Sequence, residues 1–207
     1  MAAWNCKFKY KKDIKMALMY TPKERNTNFK APDFDNLKGV DGKIYALKDI
    51  QKQNGFLVMF ICNHCPYVQG IMDRLPETME SLQKMGIGVI AINSNDTQAY
   101  PEDSFENMIT FAKANHFTFP YVLDETQQTA KVYDAICTPD FFLFNVDSTL
   151  QYRGRLDSSG KNPASAETVP ELLKAAEEIA LYGEFSGNQT PAMGCSIKWK
   201  PSYKGLN

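Results

Sequence analysis

A chain of 207 residues, 43% hydrophobic and 23% charged, can bury one sizeable core, whereas two full domains would be cramped. Acidic and basic residues are interspersed to a formal net charge of -1, which leaves no electrostatic footprint for nucleic acid or an anionic membrane surface. No apolar run approaches the roughly 18 residues of a membrane span. Lys11, Lys12, Asp13 and Lys15 interrupt the region a signal-peptide core would occupy, so a cytoplasmic location is expected. The five cysteines, Cys6, Cys62, Cys65, Cys137 and Cys195, are too scattered for a disulfide framework and read better as catalytic, metal-binding or buried thiols.

In chain order, residues 1–27 are basic without a sustained period and read as an extension, with Met16 an alternative start. Asp41-Gly42 signals a hairpin whose second arm runs over residues 43–47. Six apolar residues at 56–61 predict a strand covered on both faces, and the dithiol motif Cys62-Asn63-His64-Cys65 begins at the next position. Pro66 suits a first helical turn, with Val68, Ile71, Met72, Leu75 and Leu82 as one continuing apolar stripe. The run 87–92, reached through a helix-length crossover, predicts a parallel neighbour of strand 56–61. A second helix is expected from Asp103-Ser104, with Phe105, Met108, Ile109 and Ala112 on its apolar face. A short strand at 121–123 and a short helix at 127–133 follow. Residues 140–146 and 150–156 form an antiparallel pair in which Gln151, Arg153 and Arg155 face solvent at the sheet edge. After a polar loop at 157–166, Thr168 to Glu171 has capping-box spacing ahead of a helix carrying Leu172, Leu173, Ala176, Ile179 and Ala180 and ending near Gly183. The organisation is therefore an extension (1–27), one domain (28–183) and a tail packed on it (184–207).

A Cys-x-x-Cys at a strand-to-helix junction places its first sulfur over the unpaired N–H groups of the helix start, which favours a thiolate on Cys62. Cys65, about one turn further in, is then placed to resolve a mixed disulfide. An imidazole at His64 can pair with the Cys62 thiolate and favour the reduced form, raising the potential above thioredoxin's roughly -270 mV. Zinc would need two more ligands, and His116, Cys137, Cys195 and Cys6 show no matching spacing, so neither a metal nor a cofactor is expected. Asp96, Asp103 and Glu106 read as favourable charges at a helix start. Proline at Thr138-Pro139 stands at a strand entrance, where spacing alone leaves cis and trans open.

These residues resemble the thioredoxin superfamily, in particular its peroxiredoxin-like branch of AhpC/TSA and TlpA-type redoxins. The resemblance runs from about Ala31 to Leu181 through Ala31-Pro32-Asp33-Phe34, Asp41-Gly42-Lys43, Cys62-Asn63-His64-Cys65-Pro66, Phe119-Pro120, Asp124-Glu125 and Thr138-Pro139-Asp140-Phe141. Met193 to Lys200 is similar to the tail of a subgroup with the same Cys-Asn-His-Cys-Pro motif. The resemblance implies an α/β, thioredoxin-like fold: a central mixed sheet flanked by helices, with an N-terminal hairpin and a C-terminal tail. It also implies Cys62 as attacking thiol, Cys65 as its partner, a cis Pro139 facing them, and Thr138 offering backbone hydrogen bonds to substrate. Ile61 stands where thioredoxin has tryptophan and Phe56 where it has a buried acid, and no threonine precedes Cys62 as in Pro-x-x-x-Thr-x-x-Cys.

The expected activity is thiol-disulfide exchange on protein or small-molecule disulfides, with a thiol electron donor. Thiol peroxidase chemistry at Cys62 and a non-enzymatic redox-sensing or metal-binding role are the alternatives. Cys137, next to Thr138, and Cys195, which could resolve a Cys62 sulfenic acid if the tail crosses the site, are candidate auxiliary thiols. Cys6 is given no role, and oligomeric state has no signature in the sequence.

Overall fold

The apolar runs of the sequence lie at the centre of a seven-stranded mixed sheet in the computed structural model of the protein, which describes residues 17–23 and 26–201. The strands are β1 (Leu18–Tyr20), β2 (Leu37–Gly39), β3 (Ile44–Tyr45), β4 (Phe56–Phe60), β5 (Gly88–Asn93), β6 (Tyr121–Leu123), β7 (Cys137–Thr138), β8 (Asp140–Phe144), β9 (Leu150–Gly154) and β10 (Met193–Ser196). The helices are α1 (Leu47–Ile50), α2 (Pro66–Gln69), α3 (Leu75–Lys84), α4 (Phe105–Ala114), α5 (Gln128–Val132) and α6 (Glu171–Tyr182). The large sheet has the order β3-β2-β6-β5-β4-β8-β9. β4 runs parallel to β5, as the crossover requires, and antiparallel to β8.

Both faces of the central strands are buried, which is why β4, β5 and β8 read as unbroken apolar runs. Period-two alternation divides them: Leu57, Met59, Val89, Ala91, Phe141 and Leu143 join one core, and Phe56, Val58, Ile90, Ile92, Phe142 and Phe144 the other. Apolar residues of α3, α4 and α6 cover the first face, and those of α1 and α5 the second. Burial at this depth contributes about 1.5–3 kcal/mol per large apolar side chain, and Phe56 adds a stacked contact with its cross-strand partner Phe144 at 5.1 Å. No helix among the described residues is long and apolar enough to cross a membrane.

Gly55 enters β4 with φ +108, and a Cβ there would stand 2.1 Å from the Phe144 carbonyl oxygen. Gly55→Ala is expected to cost about 1–3 kcal/mol, since neither the backbone angle nor the neighbouring strand can yield cheaply. Urea unfolding checks this, and an unchanged midpoint would contradict it.

Several expectations change. The stripe from Val68 to Leu82 is two helices, because Pro76 cannot donate to the residue 72 carbonyl and its ring would crowd it. Arg74 occupies the break, binding the Gly70 and Gly160 carbonyls and the Asp157 carboxylate. Of the second hairpin arm only Ile44–Tyr45 is strand, and Leu47 already opens α1. Ile109 is 42% exposed, so the buried face of α4 is carried by Met108 and Ala112. The capping box at Thr168 does not form: Thr168 accepts from Ser165 N, Glu171 binds Arg155, and α6 starts after Pro170. β9 is an edge strand, yet its outer arginines are not solvated charges: Arg153 is 7% exposed and reaches the fully buried Asp140 at 2.9 Å.

The largest change concerns the two ends. Tail strand β10 pairs antiparallel with β1, inside the expected extension, and with β7, forming a second, three-stranded sheet beside the dithiol. Met16 and Cys6 lie outside the described residues.

Candidate active site

β4 ends at Phe60, and the chain turns through Ile61 to Cys65 into the four-residue helix α2, of which Cys65 is the N-cap. This turn brings Cys62 and Cys65 close enough for their side chains to interact, and both are buried. The Thr138-Pro139 peptide bond is cis. Thr138 Oγ1 lies 3.4 Å from Cys62 Sγ, and Cys65 Sγ donates to the Thr138 carbonyl at 3.1 Å. Cys62, Cys65, Thr138 and Pro139 therefore form one constellation, as the sequence implied.

Beneath the motif lies a carboxylate that sequence reasoning assigned to a helix start. Asp103 is fully buried, and Asn63 N donates to its Oδ1 at 2.8 Å and His64 N at 3.3 Å. Its Oδ2 is 2.7 Å from His64 Nδ1 and accepts from Asn95 Nδ2 at 2.7 Å. Asn63 is held in turn by the Tyr121 hydroxyl, which donates to its Oδ1 at 3.0 Å. Ser104 alone caps α4, its Oγ accepting from Asn107 N. That division of labour was the available clue: with serine at the cap, the preceding aspartate is surplus to the helix.

The electrostatics follow from this carboxylate. The Asp103 hydrogen bond holds His64 above its usual range against the opposing effect of burial, and the imidazole stacks on Tyr100 at 5.6 Å. Burial pushes the Cys62 thiol well up, helped by Cys65 and the negative Asp103. The N–H groups of Asn63 and His64, which follow Cys62 directly, donate to Asp103. A four-residue helix also has little dipole to offer. The imidazolium expected to make Cys62 strongly oxidising is thus matched by an adjacent anion.

The remaining thiols separate. Cys137 Sγ turns to the Pro139 carbonyl at 3.7 Å, and burial raises its pKa. Cys195, from β10, pairs with Thr138 and lies beside Cys65, which raises its pKa together with burial. Arg153 and Arg155 are held in ion pairs, Arg153 with Asp140 at 2.9 Å and Arg155 with Glu171 at 2.7 Å. For a metal, the Cys62 sulfur, a His64 ring nitrogen and an Asp103 oxygen lie within 4.8 Å of one another. A cation there would have to displace the His64 and Asn95 hydrogen bonds to Asp103. A cleft of about 280 Å³ opens beside Pro139, walled by Tyr67, Ile71, Leu156, Ala192 and Met193.

This architecture, a mixed sheet with a dithiol at a strand-to-helix junction facing a cis-proline, is that of a thioredoxin-like redoxin. The chain belongs to the AhpC/TSA family, whose model matches residues 27–153. It is 41% identical to an uncharacterized conserved protein from Geobacillus kaustophilus, whose crystal structure aligns with a TM-score of 0.81 over 90% of this chain and 98% of that one. The thioredoxin domain of a thiol-disulfide oxidoreductase from Bacteroides vulgatus, 15% identical, shares the fold with a TM-score of 0.51 over 61% of this chain and 86% of that domain. Sporulation thiol-disulfide oxidoreductase A of Bacillus subtilis (strain 168) is 31% identical over 106 residues, 51% of this chain. The match spans about half, 54%, of that curated relative's length.

Proposed function

We propose that this chain is a thiol-disulfide oxidoreductase working through Cys62 and Cys65. The observation that carries the reading is the pair of sulfurs both held against Thr138 beside cis-Pro139. The similarity to a thiol-disulfide oxidoreductase from Bacillus subtilis supports it.

In the reducing direction, Cys62 loses its proton and its sulfur attacks a substrate disulfide, forming a mixed disulfide and releasing one substrate thiolate. Cys65, likewise deprotonated, attacks Cys62 Sγ, closing the Cys62–Cys65 disulfide and releasing the second thiolate. A thiol donor returns the two electrons. His64 is fixed beside the motif through Nδ1 by Asp103, which raises its pKa. Burial of both sulfurs makes local opening around the motif part of each encounter, and the apolar cleft beside Pro139 is where the flank of a protein or small-molecule disulfide would rest.

Cys65→Ser is expected to accumulate a stable Cys62 mixed disulfide with glutathione, and Cys62→Ser to abolish turnover of a disulfide substrate, a loss of at least about 10³-fold. Mass spectrometry after acid quench reads both. Turnover persisting in Cys62→Ser would overturn the reading.

Peroxide reduction at Cys62 is the second reading, and membership of the AhpC/TSA family favours it. Against it, Met59 stands where peroxiredoxins carry threonine, and Arg153 and Arg155 are engaged by carboxylates.

A further inference from the structure

We propose that Cys195 is a third redox thiol that exchanges with Cys65, so that the oxidised protein holds its disulfide either as Cys62–Cys65 or as Cys65–Cys195. This rests on the dithiol reading above and extends it to the tail strand.

Cys195 belongs to β10, in register with Thr138 of β7. The strand is pressed against that residue: a Cβ on Gly194 would stand 2.1 Å from the Thr138 carbonyl oxygen, so only glycine permits the approach. The same carbonyl receives the Cys65 thiol at 3.1 Å, and Thr138 Oγ1 meets Cys62 at 3.4 Å. Cys65 is consequently the middle of three sulfurs, sharing Thr138 with both Cys195 and Cys62 and close enough for its side chain to interact with each. A buried cysteine is ordinarily an inert apolar residue. Cys137 fits that description, since its sulfur meets a carbonyl. Cys195 differs because its partner is a sulfur of the dithiol itself.

The exchange needs no additional oxidant. The Cys195 sulfur, deprotonated, attacks Cys65 Sγ of the Cys62–Cys65 disulfide. The Cys65–Cys195 bond forms, the Cys62–Cys65 bond breaks, and its electron pair leaves on Cys62, which takes up the proton given up by Cys195. The protein remains oxidised by two electrons while Cys62 returns as a free thiol, able to engage a second disulfide without being resolved by Cys65. Lys198, close enough to Cys195 to favour its ionisation, assists, whereas burial holds the proton on Cys195 and keeps this exchange slower than closure of Cys62–Cys65. A Cys65–Cys195 bond would also tie β10, and β1 paired to it, to the start of α2.

The test uses the full chain oxidised with oxidised glutathione, acid-quenched and mapped by mass spectrometry. Cys62→Ser is expected to yield a Cys65–Cys195 peptide, and Cys195→Ser only Cys62–Cys65. In wild type, after the oxidant is removed, Cys62 is expected to become alkylated by N-ethylmaleimide while Cys65 and Cys195 stay blocked, at least about tenfold more than in Cys195→Ser. The wild-type arm does not depend on any variant folding. A Cys62→Ser protein carrying only reduced or glutathionylated Cys65, together with wild type showing only Cys62–Cys65, overturns the relay and leaves the dithiol reading standing. Absence of Cys62–Cys65 from both wild type and Cys195→Ser overturns the dithiol reading instead.

Discussion

Arg153→Met is expected to lower the stability of the folded protein by about 3–5 kcal/mol, because it strands a buried carboxylate. Asp140 is fully buried, and Arg153 contacts it through Nη2 at 2.9 Å and Nε at 3.3 Å. The guanidinium also donates to the Asp134 carbonyl at 2.7 Å and lies 4.3 Å over the Phe142 ring. Burial already pushes the Asp140 carboxyl up, with Arg153 the main opposing influence. Methionine would keep some of the packing and none of the charge, leaving Asp140 to ionise alone or to take up a proton. For a chain of this size the loss corresponds to a fall in Tm on the order of 10 °C. Thermal and urea unfolding report it, and a change under 1 kcal/mol would show that the pair contributes no more than a surface ion pair. The double variant Arg153→Met with Asp140→Leu is expected to recover most of the loss, since replacing both partners removes the stranded charge.

Asp103→Asn is the second large effect, expected at roughly 2–4 kcal/mol, because Asp103 gathers four hydrogen bonds in a site closed to water. An amide presents one acceptor oxygen to donors that now converge on two, and its NH2 group would face the Asn95 amide or the His64 ring. The same substitution is expected to return the His64 titration, followed by NMR of the imidazole, toward its ordinary value near 6.5. The sign for the wild type is fixed by the raised His64 pKa. The stability that the His64–Asp103 pair contributes is fully present below the unfolded value of about 6.5 and is lost as pH rises through the folded value. Urea unfolding of wild type against His64→Gln should therefore show the larger difference at pH 6 and a smaller one at pH 8.5. A difference that grows with pH would contradict the assignment.

How much of this was legible in the sequence depends on how local the determinant is. The runs at 56–61 and 87–92 announced central strands because both faces are covered, and a strand without solvent carries no polar alternation. The dithiol was equally plain, since the motif directly follows its strand, whereas Thr138-Pro139 took its place facing the dithiol only through the family resemblance. The strict alternation expected of β9 fails at a bulge after Leu150, so Leu150 and Tyr152 face opposite cores. Leu150 joins the core of Phe142 and Phe144 and Arg153 lies over the Phe142 ring on that same side, where Asp140 and the Asp134 carbonyl hold it, whereas Tyr152 joins the other core. Charge periodicity identifies a face without saying what lies on it. β10 was read as an irregular tail because its order comes from pairing with residues 18–20 and 137–138, far away in sequence. Asp103 was missed for a related reason: its donors come from the motif some 40 residues earlier, and an aspartate before a helix has a simpler local reading. The break between α2 and α3 was also missed, although Pro76 is a local signal for it.

The central claim is that Cys62 and Cys65 form one two-electron couple, and equilibration of the full chain with glutathione redox buffers, followed by acid quench and disulfide mapping, tests it most directly. The expected result is one two-electron transition carried by a Cys62–Cys65 linkage. With the Asn63 and His64 N–H groups and the His64 imidazole committed to Asp103, its midpoint should lie nearer thioredoxin's roughly -270 mV than the -180 mV of protein disulfide isomerase. Cys62 and Cys65 that remain separately alkylatable at every potential, or carry only glutathione adducts, would contradict the account.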